Sequence, residues 1–167
     1  MTAQTGRTVG KYTRFVVKDS GAVLREIPIT TINGVGLTFD EADVSALQDA
    51  LKGVLQATPD CQITVTGPVD NSAAVPASGS GVVPALSGSH TVLKDINGAQ
   101  VPLSLGIYLG IRHYWETGEP TFGISSSAAN GFLCFDYTVN PVDMTYSAKF
   151  RVYPGSTAPG WGTAAIT

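Results

Sequence analysis

The side chains able to hold a metal or attack a substrate are few and scattered. His90 and His113 are the only histidines, and Cys61 and Cys134 the only cysteines. A zinc site needs its ligands paired at short spacing, so that two donors share one turn or one face. None of these four residues is paired that way, so neither a metal nor any other cofactor is expected. Each cysteine stands beside apolar residues and reads as a buried free thiol. His113, next to Tyr114 and Trp115, reads as the end of a strand. The stretch "GISSSAANG" (123–131) offers serines but no Gly-x-Ser-x-Gly elbow, so it reads as a polar turn. "INGVG" and "SGSG" lack the lysine, strand and helix of a phosphate loop. Asp40, Glu41 and Asp43 form a small acidic set without the spacing of a calcium loop. No catalytic residue is assigned, and the chain is expected not to be an enzyme.

The acidic set introduces the elements. "FDEADVSALQDALKGVL" (39–55) carries Val44, Leu47, Leu51, Val54 and Leu55 at helical spacing. The expectation is an amphipathic helix that docks this stripe on a sheet. Asp40 would cap it, Glu41 and Asp43 would complement its dipole, and Pro59 would prevent its continuation.

Elsewhere the pattern alternates. "KYTRFVVK" (11–18) and "AVLREIPIT" (22–30) flank Asp19-Ser20-Gly21, a hairpin signal. "CQITVTG" (61–67) directs Ile63 and Val65 to one side. Leu103, Leu105, Ile107, Leu109 and Ile111 alternate with polar or small residues, which predicts a strand with one buried face. In 131–140, Leu133, Phe135, Tyr137 and Val139 share a face. In 144–154, Met144, Tyr146, Ala148, Phe150 and Val152 do so, and residues 140–143 form the turn between these strands. The sum is about eight strands and one helix. The expected fold is mainly β: an antiparallel β-sandwich or partly closed barrel flanked by one α-helix. It forms a single domain over 1–167, with an N-terminal arm (1–10), a long loop (68–90) and a C-terminal extension (154–167). Val75, Val82, Val83 and Leu86 lie within the loop, and a purely solvated linker would not need them. They are expected to order against a neighbouring subunit.

Charged residues make up 14% of the chain, against about 25% in typical soluble proteins. A surface so short of charge is weakly protected against association. The net charge is −3, with no basic run, which argues against a dedicated nucleic-acid binder. The first residues have no apolar core of a signal peptide, and no apolar run approaches a membrane span.

"LTFDEADVSALQDALKGVLQATPDCQITVTGPVDN" (37–71), with "SGSHTVLKDI" (87–96) after it, resembles the phage tail tube (major tail) protein family. The resemblance implies a helix-flanked β-sandwich that closes into hexameric rings. The rings stack into a tube through which DNA is ejected, with transient, non-specific DNA contact in the lumen. It implies other virion tail proteins as partners, no membrane, and a place in the virion tail after synthesis in a host cytoplasm. The family's long hairpin would fall at 68–90 or 112–131. Tyr12, Arg14, Val75, Val82, Val83, Leu86 and Trp161 are the candidate subunit interface. The rival expectations are a capsid decoration or other virion structural protein, and a monomeric glycan-binding module that uses Tyr114, Trp115 and Trp161.

Overall fold

The computed structural model describes residues 10–43, 54–73, 85–111 and 115–167. A 3-10 turn (Gly10–Tyr12) leads into β1 (Thr13–Lys18) and β2 (Leu24–Ile27), the expected hairpin, with Phe15 opposite Ile27. Asp19 closes its turn by accepting a hydrogen bond from the Val23 N–H and pairing with Arg25, each at 2.8 Å. There follow β3 (Thr31–Asn33), β4 (Thr38–Asp43), β5 (Val54–Asp60), β6 (Gln62–Pro68) and β7 (Ala85–Leu86). Helix α1 (Ser89–Ile96) comes next, and then β8 (Leu105–Leu109), β9 (Thr121–Ile124), β10 (Phe132–Asn140), β11 (Thr145–Val152) and β12 (Gly160–Gly162).

The larger sheet has six strands in the order β12-β9-β8-β1-β2-β7, and the smaller has four in the order β10-β11-β6-β3. Every pairing is antiparallel except β2 with β7. The sheets pack face to face. Phe15, Ile107 and Phe122 from the larger meet Ile63, Val65 and Phe150 from the smaller, all fully buried. The fold is therefore mainly β with antiparallel sheets and, among the described residues, one α-helix and no closed barrel.

That helix is not where helical spacing placed it. Thr38–Asp43 and Val54–Asp60 are strands that pair with each other, Asp43 opposite Val54 and Thr38 opposite Asp60. Asp40, Glu41 and Asp43 thus lie in a strand rather than at a helix start, and Val54 and Leu55 belong to β5 rather than to a docking stripe. Val44, Leu47 and Leu51 lie outside the described residues. Helical spacing is a weak local preference, and cross-strand pairing overrides it here. Of the two ranges open to the family's long hairpin, 74–84 and 112–114 lie outside the described residues.

The helix instead occupies "SHTVLKDI". Ser89, Val92, Leu93 and Ile96 are its buried residues, at i, i+3, i+4 and i+7. The Ser89 hydroxyl donates to the Pro68 carbonyl (2.7 Å) and accepts from the Asp70 N–H (3.1 Å), pinning the helix start to the end of β6.

Two strand readings also change. In β10, Cys134 lies opposite Phe150 but Asp136 lies opposite Lys149, so Phe135 is an extra, bulged residue. Phe132 and Cys134 face the core, whereas Phe135 is 44% exposed, with the Arg151 guanidinium 5.2 Å from its ring centre. In β8 both faces are covered. Leu105 and Ile107 face the smaller sheet, while Tyr108 packs on the opposite side with Val16 and Trp115. β11 keeps its expected face, with Tyr146, Ala148 and Phe150 buried, although Met144 before it is exposed.

Phe150→Ala should lower the unfolding free energy by about 3–5 kcal/mol, and Phe135→Ala by about 1 kcal/mol or less. Urea midpoints at unchanged slope would read both. A larger loss at Phe135 would contradict the bulge.

Candidate assembly surfaces

The acidic and basic side chains near the expected interface are used inside the chain. Arg14 of β1 forms an ion pair with Glu26 of β2 at 2.6 Å (Nη1 to Oε1), and both side chains are largely buried. Arg14 is therefore a cross-strand tie within the larger sheet rather than a projecting anchor. Tyr12 is half-buried at the end of the 3-10 turn, its carbonyl accepting from the Gly110 N–H. Val75, Val82 and Val83 lie outside the described residues.

Two of the expected interface residues do project. Leu86 of β7 is 53% exposed and Trp161 of β12 is 57% exposed. β7 and β12 are the two outermost strands of the larger sheet, at opposite ends of its strand order. Among the described residues, each outermost strand thus carries one large exposed apolar side chain, and a sheet edge is where another chain can add. Trp161 rests against the buried Phe122, their ring centres 5.0 Å apart. The long loop has acquired structure here, since Ala85 and Leu86 pair in parallel with Arg25 and Glu26.

Trp115 is buried at 3% exposure. Its indole N–H points at the Glu119 and Pro120 carbonyls, at 3.0 and 3.2 Å, and its ring meets Tyr108 edge-on. Trp115 offers no face to a sugar, which removes the centre of the aromatic platform that a glycan-binding module would need. Tyr114 and His113 lie outside the described residues. His90 sits on α1 with Nδ1 2.8 Å from the Tyr137 hydroxyl.

Sequence reasoning missed the tail. Ala165 and Ile166 pack over Val16, Tyr108 and Trp115 on the outer face of the larger sheet. The only signal was the short apolar run in "GTAAIT", within a segment otherwise rich in glycine, threonine and proline.

Cys61 and Cys134 are free and buried, as expected. Burial pushes their thiols up from 9.0, to about 11 and about 12 respectively.

These features define a class first: among the described residues, a β-sandwich of two largely antiparallel sheets with one short helix and a separate two-stranded sheet. No family model and no curated protein matches the sequence. Solved structures do share the fold. One is the tube-terminating cap of the anti-feeding prophage (TM-score 0.53, 14% identity, covering 98% of this chain and 95% of that one). Another is the sheath/tube terminator of an extracellular contractile injection system, PVC, in its extended state (TM-score 0.57, 12% identity, covering 96% and 99%). A third is from the sheath-tube complex of the same system (TM-score 0.52, 12% identity, covering 93% and 92%).

Neither thiol should react with a thiol reagent at pH 8 in the native state, and both should react once the chain is unfolded. A raised folded-state value means that the unfolded chain releases these protons first. Stability should therefore fall as pH rises from about 9 through 11 to 12. Stoichiometric labelling of the native protein would contradict the burial.

Proposed function

We propose that this chain is a structural tail subunit that ends or caps the tube of a contractile, phage-like particle, and that its work is assembly rather than catalysis. The observation that carries this reading is coverage. The fold shared with the PVC sheath/tube terminator spans nearly the whole of both chains, so an entire subunit corresponds, not a common fragment.

The geometry supplies a means of assembly. Leu86 marks one edge of the larger sheet and Trp161 the other. A contact between unlike edges is heterologous, and it closes into a ring when the rotation per copy divides the circle. Six copies is the number that the tail tube resemblance implies. A net charge of −3 with no basic run suits a lumen through which DNA passes without being held. The terminator reading is preferred to the tube itself because two of the three neighbours above are a cap and a terminator.

Mass photometry and negative-stain microscopy of the concentrated protein test this. Rings that do not elongate are expected; long tubes would instead identify a tube subunit. Trp161→Ser should weaken ring formation by about 2 kcal/mol, roughly thirtyfold, and Leu86→Ser should act in the same direction. A protein that stays monomeric at every concentration would overturn the proposal.

A further inference from the structure

The outer face of the larger sheet carries a trough. Register places Val16, Gly106, Gly123 and Gly160 side by side across β1, β8, β9 and β12. Three of these four positions have no side chain. Ile166 lies in the trough, and a Cβ added at Gly106 would come within 2.8 Å of its Cγ1. The walls are Val16, Tyr108 and Trp115, none more than 3% exposed.

The seat holds its occupant by the backbone. The Ile166 N–H donates to the Tyr108 hydroxyl at 2.9 Å. The Ser104 hydroxyl donates to the Thr167 carbonyl at 2.7 Å, and the Thr167 N–H donates to Ser125 Oγ at 3.0 Å. Ser104 is fully buried and is aimed by the Ser126 N–H, which donates to its oxygen at 2.7 Å. Beyond Ile166 the trough stays open, since nothing lies within 4 Å of a Cβ added at Gly160 or Gly162.

The stretch that leads to this segment is lightly held between two fixed points. Residues 153–157 are clamped to the 130–131 turn: Tyr153 N–H donates to the Gly131 carbonyl (2.8 Å) and Thr157 N–H to Asn130 Oδ1 (2.8 Å). Past that clamp come a short, exposed edge strand, β12, and one backbone bond from the Gly118 N–H to the Thr163 carbonyl (2.9 Å). Extended, residues 158–167 would reach about 33–36 Å.

We propose that the trough is a receptor for the 163–167 segment of a second copy of this chain. β12 and the segment leave their own sheet together and seat on the neighbour's. The contacts given up in one copy are remade in kind in the next, so exchange links subunits without any new chemistry. The segment departs from the edge that carries Trp161, where the preceding subsection places a neighbour. The inference rests on that self-association and on nothing else in the functional reading.

Thr167 Oγ1 lies 3.2 Å from Ser125 Oγ, so cysteines at these positions are placed to bridge. Ser125→Cys and Thr167→Cys chains are mixed, concentrated, oxidised with oxidised glutathione, and analysed on non-reducing gels and by peptide mass spectrometry. The expected result is a disulfide between positions 125 and 167 that joins two chains, confined to the oligomeric fraction. Adding Gly106→Val to the Ser125→Cys chain should abolish that bridge by filling the seat, with circular dichroism unchanged. If that variant does not fold, Ile166→Ser in the other chain makes the same test. Oligomers without the inter-chain bridge, while the double variant closes within one chain, would overturn the exchange and leave the assembly reading standing. A chain that never associates would overturn both.

Discussion

Phe15 and Phe150 meet with ring centres 5.4 Å apart, one from the middle of each sheet and both fully buried. This contact between facing sheets sets their separation, and much else follows from it. Ile63 and Val65 of β6 and Ile107 of β8 fill the space around the two rings. The Tyr146 hydroxyl crosses to the Pro28 carbonyl at 2.8 Å, at a point where Gly67 lets the backbones approach. A Cβ at Gly67 would lie 2.6 Å from that same carbonyl oxygen and 2.9 Å from the Tyr146 ring. Helix α1 covers one part of the core with Val92, Leu93 and Ile96.

The larger sheet is the unusual layer, because side chains pack on both of its faces. Antiparallel sheets commonly leave one face to water. Here the outer face is packed by Tyr108, Trp115, Ala165 and Ile166. With both faces engaged, the edges are what this sheet has left to offer a partner. Those edges carry Leu86 and Trp161. The polar side chains nearby are spent on internal ties: Arg14 with Glu26, Asp19 with Arg25, and Ser104 with the Thr167 carbonyl.

Much of the sandwich is legible in residues that act locally. Asp19-Ser20-Gly21 announces the first hairpin because a short polar turn with glycine reverses the chain wherever it occurs. Tyr146, Ala148 and Phe150 alternate without interruption, so the buried face of β11 can be read directly. Asn140 likewise organises its own turn, accepting from the Val142 N–H and donating to Asp143. Legibility fails where two local readings compete. Residues 39–55 satisfy helical spacing, yet the segments on either side of 44–53 are paired strands. "SHTVLKDI" has only three large apolar residues in its stripe, too few to announce the helix that it forms. The bulge at Phe135 shifts a face midway along β10, and alternation alone carries no mark of it.

The amino-acid sequence by itself determined that this would be a β-protein of low charge, with its main turns and the inward face of β11 in place. Those properties depend on side-chain period and turn chemistry, which act over a few residues. Tertiary structure alone decided that the chain after Thr38 becomes a strand, that β8 is covered on both sides, and that Ile166 returns to the row of Gly106. Each of these depends on contacts between residues far apart in the chain: Thr38 with Asp60, and Tyr108 with Ile166. Local preference does not encode such pairings, and the free energy of packing selects among the conformations that it leaves open.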